Sequence, residues 1–588
     1  MKSFMTQKDD LQLRLEQFSG LQTYASAKGG TAARTLRNLR CLADGTLCAR
    51  EGTRTLVTLP ETLRGAVWDE ASAVIYAAAG THIYVIFPAE DGAYNWEMIG
   101  QMQSSEGAVD FFSLDDSCVM MDGYTMYTLT PTWAEPITPY IPLYGKDWTG
   151  VDSKDVFEPR SLLTDQVHIQ YLPTQSTYTI RLSVMPEQVD AIYCDGMLQD
   201  PADYMHYDGT GDISFRSALS VGSVYDILVT LPPEPEVQRI REDFFRCRCV
   251  VRPGEVGRTM LLFGGGPERG ALYLSAALSH EQRECCRVVA PHAVMLNLLA
   301  DGCMELGDGV QQIHGLVRHY DRTLIMTSKG CWMTDMQRLR GAEGKETFLA
   351  VNSTLGCTSY GGAHLVGNSP ISICGGDILL WNADTDALDE CNAQSMTQKV
   401  RSLLPAALGT QGRMYYDAKR DEMIFYLPGV ETSCLVWQRA LQCWTTYDYA
   451  PAAVHGLFSM GQGTGILLGN AVCVVEDGLT CDVDASGVQR AITCSFATHD
   501  LDFEHRGASM RPYAVLVCAD AAVGQEVSLS LRAAGGKMAT AVLHATEDAP
   551  CEMQKRVSVG RCRHARLEIQ ARCLGAFSLR MVCIAAGN

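Results

Sequence analysis

The sequence lacks any Cys-x-x-Cys pair, although it contains 23 cysteines among 588 residues. Zinc ribbons and thioredoxin-like redox sites need that spacing, so both are excluded. The cysteines are scattered, and the close pairs are Cys247-x-Cys249 and Cys285-Cys286. Because disulfide scaffolds are short and dense in cysteine, we expect reduced and mostly buried thiols in a protein made in the cytoplasm.

Long hydrophobic runs are missing as well. No window approaches the roughly 18 uncharged apolar residues of a membrane-spanning helix. The N-terminal MKSFMTQKDDLQLRLEQ also lacks the apolar centre of a signal peptide. We therefore expect a protein that is neither exported by the Sec route nor inserted in a membrane.

Positive charge is in deficit, with 48 Lys and Arg against 68 Asp and Glu and a formal net charge of −20. A surface that grips a nucleic-acid backbone needs arrays of cations that neutralise phosphates, and this balance argues against one. An acidic wall would instead repel a passing polyanion and let it slide.

Motifs of nucleotide and acyl chemistry are absent too. No G-x-S-x-G nucleophile elbow is present. The glycine-rich stretch LLFGGGPERG at residues 261–270 has Pro267-Glu268-Arg269 where a P-loop has its lysine, and a strand-like ALYLSA follows instead of a helix. We expect a tight turn between two strands there.

The acidic run around Asn382 is the nearest approach to a calcium loop. Asn382, Asp384 and Asp386 stand at the first, third and fifth ligand positions, but Ala387 and Ala393 replace the required glycine and bidentate glutamate. An EF-hand is excluded, and an adventitious surface cation site is the remaining alternative.

Two histidine groups are candidates for metal or catalytic sites. His314 and His319 are five residues apart in a predicted strand, which suits neither a helix face nor an H-E-x-x-H site. His280-Glu281 with Cys285-Cys286 is a similarly loose cluster. Ordinary structural residues are expected in both places, so the sequence predicts no catalytic residue, no cofactor and no metal site, and we do not expect an enzyme.

What the sequence does contain is repeated strand material, seen most plainly at residues 351–390. Gly361-Gly362 and Gly375-Gly376 bracket the short apolar runs HLVG, ISIC and DILLW, which indicates consecutive antiparallel strands. Similar strands recur at roughly ten-residue spacing, as in sandwiches, barrels and propellers. The prediction is an all-β protein with a β-propeller core.

Composition divides the chain into four parts. Residues 1–135 are predicted to form the first part of the propeller and residues 236–482 its remainder, with an inserted small β domain at 136–235 between proline-rich borders. Residues 483–588 alternate apolar and polar residues at period two, which predicts a C-terminal jelly-roll-like β-sandwich. Helical pieces are expected at LQLRLEQF, at residues 292–306 as helix or loop, and at AQSMTQKVRSLLP.

The repeats of known propeller classes are not found. Neither the S-x-D-x-G-x-T-W boxes of sialidases nor a repeated Trp-Asp pair occurs. Tyr416, Trp437 and Trp444 have a faintly kelch-like rhythm, and we expect them in a blade core rather than in a ligand cage.

Several segments resemble phage structural proteins. FSGLQTYASA and NLRCLADGTLCAREGT are similar to an opening with F-x-G-[LI] followed by N-x-R…G-x-L-x-x-R-x-G. RSLLT at 160–164 and VDAIYCDGMLQDPADYMHYDGTGDISF resemble the inserted module of those proteins. LIMTSKGCWMTD, STLGC and GGDILLWNADTDALDE resemble their blades. The chain thus looks like the propeller proteins that form the nozzle or tail-tube extension of short-tailed phages.

This resemblance implies a structural component of the virion tail, made in the host cytoplasm. Copies would form a ring, with about six suiting the usual tail symmetry. Genomic DNA would pass through the lumen of the ring without specific binding. The other implied partners are adaptor or portal-side proteins and distal tail proteins. The alternatives are a receptor- or glycan-binding tail propeller and a cytoplasmic propeller scaffold.

Overall fold

Strands dominate this chain in a computed structural model, taking up 51% of it against 7% for helices. The structure describes residues 11–24, 32–90, 92–115, 117–147, 158–207, 209–254, 260–341, 346–382, 388–461, 463–505, 508–546 and 551–587. No helix in these ranges has the length and apolar character needed to cross a bilayer.

The first five strands are short, and they belong to two different domains. They are β1 (Leu11–Leu15), β2 (Ala33–Arg37), β3 (Leu39–Cys41), β4 (Leu47–Ala49) and β5 (Thr53–Thr58). The turn between β3 and β4 is at Asp44-Gly45, where Asp44 Oδ1 accepts from the Thr46 backbone N–H at 3.0 Å. That hairpin turn is as the sequence predicts.

Two four-stranded antiparallel sheets follow as blades 1 and 2 of a propeller. Blade 1 has β6 (Leu63–Asp69), β7 (Val74–Ala79), β8 (His82–Pro88) and β9 (Tyr94–Gln101). Blade 2 has β10 (Asp110–Leu114), β11 (Ser117–Met121), β12 (Met126–Leu129) and β13 (Ala134–Pro136).

The chain then leaves the propeller for an inserted β domain with two sheets. The five-stranded sheet has the order β14-β15-β21-β17-β18, and the three-stranded sheet has the order β16-β20-β19. The strands are β14 (Leu143–Asp147), β15 (Gln166–Tyr171), β16 (Thr179–Arg181), β17 (Gln188–Cys194), β18 (Met197–Leu198), β19 (Tyr204–His206), β20 (Asp212–Phe215) and β21 (Tyr225–Thr230), with a 3-10 turn at Pro201–Asp203.

Helix α1 (Pro235–Phe245) leads back to the propeller, where three more four-stranded blades follow. Blade 3 has β22 (Cys249–Val251), β23 (Leu262–Gly264), β24 (Ala271–Ser275), helix α2 (His280–Val289) and β25 (Leu298–Glu305). Blade 4 has β26 (Ile313–His319), β27 (Arg322–Thr327), β28 (Gly330–Asp335), helix α3 (Met336–Leu339) and β29 (Leu349–Asn352). Blade 5 has β30 (Ala363–Val366), β31 (Ser369–Cys374), β32 (Asp377–Trp381) and β33 (Ala393–Ser395).

Blades 6 and 7 complete the ring. Blade 6 follows a 3-10 turn at Arg401–Leu403 and helix α4 (Leu408–Gln411), and has β34 (Arg413–Asp417), β35 (Glu422–Tyr426), β36 (Ser433–Gln438) and β37 (Cys443–Asp448). Blade 7 has β38 (Val454–Met460), β39 (Gly463–Leu468) and β40 (Ala471–Val475), and its fourth strand is β5 from the N-terminal segment. The described chain therefore forms a seven-bladed propeller that a strand from the other end of the sequence closes.

The last strands build a sandwich. They are β41 (Asp482–Val483), β42 (Gln489–Arg490), β43 (Ile492–Thr498), β44 (Leu501–Asp502), β45 (Glu504–His505), β46 (Ala508–Ser509), β47 (Arg511–Ala521), β48 (Glu526–Ala533), β49 (Met538–His544), β50 (Cys551–Arg556), β51 (His564–Cys573) and β52 (Phe577–Gly587). From β47 onward the chain passes back and forth between two sheets, as in a jelly roll. In β48 and β51 buried and exposed residues alternate, as period-two patterning requires.

One sheet of the sandwich is continuous with blade 6. It runs in the order β34-β35-β36-β37-β2-β43-β51-β48-β49, so the outermost strand of blade 6, β37, pairs with β2 and the sheet continues into the sandwich. A single buried cluster spans the same junction and includes Ile373, Trp444, Phe496 and Leu567. Propeller and sandwich thus share one core.

The position of β1–β4 corrects the predicted assignment of residues 1–135 to the propeller. β1 and β4 pair with β52, and β2 pairs with β43, so the N-terminal strands lie in the sandwich and only β5 onward joins the blades. The C-terminal sheets have open edges that these strands cover. Pairing between segments that are far apart in the chain produces no local sequence pattern, so the sequence did not predict it.

The predicted helices also need correction. LQLRLEQF holds strand β1, because Leu11, Leu13 and Leu15 alternate with polar residues at period two. Residues 292–306 contain β25, and the helix lies earlier, at α2, where Ser279 and Gln282 form a capping box. AQSMTQKVRSLLP holds β33 and a 3-10 turn.

Candidate functional site

The most organised polar region of the propeller is the end of its central channel where the innermost strands begin. In three blades the innermost strand starts with an apolar residue, an Arg or His, and a glycine, and each has a β-bulge there: Leu63-Arg64-Gly65, Ile313-His314-Gly315 and Val454-His455-Gly456. A bulge turns the extra side chain out of the alternating pattern. The repeated bulge therefore directs a basic side chain sideways at the rim of the channel.

At Gly65 and Gly315 the glycine after the bulge lets the next blade approach. At Gly315 an added Cβ would lie 2.5 Å from the Ala363 Cβ of the next blade, which is closer than real carbon atoms come. His314 is a candidate from its sequence spacing, whereas the repeat that contains it was not predicted. Its signal, an apolar residue followed by Arg or His and Gly, is visible in the sequence at all three places.

A salt bridge crosses the channel at this end. Arg413, the first residue of β34 in blade 6, donates to both carboxylate oxygens of Asp110, the first residue of β10 in blade 2, at 2.7 Å each. Blades 7 and 1 lie between them along the ring, so the pair bridges the channel rather than two adjacent blades. His455 and Tyr426 line a cavity of about 200 Å³ beside it. This geometry leaves no passage for a duplex through the propeller itself.

Tyr360 is an aromatic side chain at this rim, and it is held by contacts within the protein. Tyr360 stacks against His314 with ring centroids 4.8 Å apart, and the Arg248 guanidinium lies over the same ring at 5.2 Å. The Tyr360 hydroxyl also accepts from Gln312 Nε2 at 3.0 Å. These contacts connect blades 3, 4 and 5, so the side chains at the rim stabilise the packing of neighbouring blades.

A second polar cluster holds the N-terminal segment in place. It contains residues of the NLRCLADGTLCAREGT segment, which resembles the opening of phage structural proteins. Arg50, only 3% exposed, donates to Asn38 Oδ1 at 3.1 Å and to both Asp482 carboxylate oxygens at 3.0 and 2.8 Å. Its guanidinium lies 4.4 Å from the centroid of the Tyr449 ring. A Cβ on Gly52 would lie 1.9 Å from the Cys481 carbonyl oxygen, so only glycine fits.

Beside this cluster lies a buried carboxylate. Glu422 accepts from the Tyr447 hydroxyl at 2.9 and 3.0 Å and lies 3.4 Å from Arg40 Nε. Burial raises the pKa of Glu422 to about 7, and the charge of Arg40 opposes that rise. A further set of ion pairs joins Arg420 to Glu51, Asp417 and Asp477. The N-terminal segment is thus held to blades 6 and 7 by desolvated charges.

The other candidate site residues lie apart from one another in the fold. The stretch 261–270 contains β23 and the turn that leads to β24, and Asn382 donates its backbone N–H to the Asn392 carbonyl at 2.8 Å. Asp384 and Asp386 lie outside the described residues. The described chain contains no group of three or more side chains placed to hold a metal ion.

The aromatic and histidine candidates lie in separate places. Trp437 and Trp444 are buried in blade 6 with ring centroids 6.4 Å apart, and the Tyr416 hydroxyl donates to Asp421 Oδ1 at 2.6 Å. His319 is at the other end of β26 from His314, and its Nε2 is 2.9 Å from the Asn368 carbonyl oxygen.

Comparison with known proteins gives no family. No family profile and no curated protein matches the chain. Among solved structures, virginiamycin B lyase from Staphylococcus aureus is 7% identical, with a TM-score of 0.36 over 71% of this chain and 96% of that chain. The WD40 domain of SCAP from fission yeast is 7% identical, with a TM-score of 0.30 over 72% and 94%.

A third structure is PorZ, a component of the type-IX secretion system of Porphyromonas gingivalis. It is 11% identical, with a TM-score of 0.33 over 74% of this chain and 38% of the PorZ chain. Such distant likenesses carry no argument about activity. The propeller is established by the seven sheets of the chain itself.

We expect stability to fall as pH is lowered below about 6.5. Burial lowers the pKa of His314, His364 and His455, so the unfolded chain binds protons that the folded chain does not. Their contribution is complete above the unfolded pKa and is lost as pH falls towards and through the lowered values, at about 1.4 kcal/mol per unit of pKa difference.

Urea unfolding at about pH 7.5 and about pH 5 checks this expectation. Replacing each of His314, His364 and His455 by Gln should reduce the loss on acidification. His280→Gln, at a side chain that is 88% exposed, is the control for removing a surface histidine. A loss on acidification that is unchanged when these three partly buried histidines are replaced would contradict the assignment.

Proposed function

We propose that this chain is a structural subunit of a phage virion tail, of the nozzle type, and that it acts by assembly rather than by catalysis. The observation that carries the proposal is the sheet shared by blade 6 and the sandwich, through which hydrogen-bonded strands connect the two domains. A ring wall that must resist load is served by such continuity, because force passes along hydrogen-bonded strands and not through a flexible linker.

The fastening of the N-terminal segment supports the same role. Asn38, Arg50 and Gly52 belong to the motif that resembles the opening of phage structural proteins, and in this chain they hold β5 in blade 7. The residues behind the resemblance are thus the residues that close the propeller. They contribute to mechanical integrity rather than to a reaction.

In this proposal, DNA passes through the space between copies of the chain. The Arg413–Asp110 bridge blocks the channel within one propeller, so the lumen is the space that a ring of copies encloses. The net charge of −20 suits a wall that repels DNA, because like charges prevent adhesion during passage.

The inserted domain supplies a surface for neighbours in the tail. Met197, Leu198 and Met205 are 69%, 63% and 59% exposed, and Met197 and Leu198 form the edge strand β18. Exposed apolar side chains on a sheet edge are typical of protein contact sites, because burial there removes apolar surface from water and an edge can accept another strand. We assign this edge to contact with an adjacent copy or tail protein.

Electron microscopy and native mass spectrometry of the purified full-length chain test the proposal. We expect closed rings of about six copies, or the chain within purified particles at the tail. A Met197→Asp, Leu198→Asp variant should weaken assembly, whereas Met538→Asp, at a 54% exposed site on the sandwich, serves as the matched control. A chain that stays monomeric at high concentration and is missing from virions would refute the role.

A further inference from the structure

The inserted domain packs on helix α2 of blade 3, and this junction contains a cysteine, a histidine and an aspartate in contact. Cys285 of α2 lies with its Sγ 3.6 Å from His168 Nδ1 on β15. His168 Nε2 is 2.7 Å from Asp226 Oδ1 on the neighbouring strand β21. Residues that are 117 and 58 positions apart thus form one line of three polar groups.

The aspartate determines which ring nitrogen of His168 carries the proton. A carboxylate accepts hydrogen bonds, so Nε2 carries the hydrogen and Nδ1 of the neutral ring presents a lone pair to Cys285. Asp226 is fixed in turn by Gln170, whose Nε2 donates to the same Oδ1 at 2.9 Å. His168 is fully buried, so its ring cannot exchange this arrangement for contacts with water. The imidazole is therefore oriented to take the thiol proton.

The adjacent cysteine, Cys286, lies on the same helix in different surroundings. Cys286 is 1% exposed in an apolar cluster with Leu228 and Val289, and its Sγ accepts from the Ile141 backbone N–H at 3.4 Å. Burial raises the pKa of Cys286 to about 11. Cys285, one residue earlier, contacts His168 and is only partly buried. The two thiols therefore differ in both partner and access.

Other titratable groups face the junction. Glu158 is a neighbour of His168, and it accepts from the Tyr140 hydroxyl at 2.5 Å. Burial raises the pKa of Glu158, and burial likewise raises that of Tyr140. On α2 itself, Glu284 and Arg287 pair with each other at 3.0 Å.

We propose that Cys285 is a nucleophilic thiol which reacts with small disulfides, with His168 as its base and Asp226 as the residue that positions the base. The Cys285 proton passes to His168 Nδ1, and the thiolate attacks one sulfur of the disulfide. A Cys285–sulfur bond forms as the S–S bond breaks, and the leaving thiolate takes the proton back from His168. One disulfide is consumed and one thiol is released for each mixed disulfide formed.

The mixed disulfide would loosen the junction. The apolar contacts that hold α2 to the inserted domain, among them Leu228 and Leu278, lie around this helix. A bulky group on Cys285 would compete with them for space, so the modification should speed proteolysis in the proline-rich connector at 231–235. This inference does not depend on the proposed role in a tail.

Ellman's reagent and glutathione disulfide, applied to the native full-length chain, test the reaction. Cys391 is the exposed cysteine of the described chain, so Cys391→Ser provides the background in which peptide mapping locates the label. We expect Cys285 to react at about pH 6, where a thiol with the ordinary pKa of about 8.5 is almost entirely protonated. His168→Gln should slow this reaction about tenfold or more at pH 6 and much less at about pH 9.

Asp226→Asn tests the positioning role separately. It should lower the rate at about pH 6 by less than His168→Gln does, because the ring remains but its orientation and tautomer are no longer fixed. If these variants do not fold, the thiolate ultraviolet absorbance of the parent minus that of Cys285→Ser gives the titration directly. A midpoint well below about 8.5 supports the proposal. A midpoint at or above that value, or equal rates in the parent and His168→Gln at pH 6, overturns it.

Discussion

Replacing Arg50 by Met should lower the free energy of unfolding by about 3–5 kcal/mol, because breaking a buried ion pair leaves an uncompensated charge. The guanidinium holds Asn38 and Asp482, and it also donates to the backbone carbonyls of Glu51 and Asp448 at 2.9 and 3.1 Å. Methionine keeps much of the apolar volume but satisfies none of these acceptors. Urea unfolding followed by tryptophan fluorescence measures the loss.

Arg54 provides the matched control for this change. It lies four residues further on in β5 and pairs with Glu476 at 2.5 Å, but the two side chains are 45% and 42% exposed. Arg54→Met should cost about 0–1 kcal/mol, since water replaces the partner at the surface. Equal losses for Arg50→Met and Arg54→Met would show that the buried cluster does not hold the N-terminal segment.

Replacing Arg413 by Met should cost about 3 kcal/mol, because the bridge across the channel is lost and Asp110 remains in the channel without its cation. Both hydrogen bonds are 2.7 Å long, and the two Arg413 donors match the two carboxylate oxygens. A double-mutant cycle with Asp110→Asn isolates the coupling of the pair from the effect of each substitution.

The control for the channel bridge is also in blade 6. Arg439 donates to Asp421 at 2.6 Å, with side chains 44% and 27% exposed, and Arg439→Met should cost less than about 1 kcal/mol. A coupling energy near zero between Arg413 and Asp110 would mean that the blades are held by apolar packing alone.

Much of the blade architecture could be predicted because hairpin strands pair with their neighbours in sequence. In residues 351–390 the apolar runs correspond to β30, β31 and β32, and Gly361, Gly375 and Gly376 have φ of +71°, +57° and +86° at the turns. Such left-handed positions are where glycine is favoured, so composition and backbone geometry agree. The period-two pattern of the C-terminal strands identified the sandwich for the same local reason.

The candidate site was predictable only in part. The apolar–Arg/His–Gly repeat is present in the sequence, but its meaning depends on bulges that bring three distant blades to one rim. His168 and Asp226 drew no notice, because each is an ordinary polar residue within a strand. Cys285 was noticed beside His280, whereas its partner proved to be a histidine from another domain.

The sequence by itself determined the all-β class, the blade-like strands with their glycine turns, the alternation of the sandwich strands and the acidic balance. Each of these follows from interactions over a few residues or from composition. Only the tertiary structure decided that β1–β4 complete the sandwich, that β5 closes the propeller, and that Arg413 meets Asp110 across 303 residues. Those contacts depend on ring closure and on open sheet edges that need partners, which are properties of the folded chain as a whole.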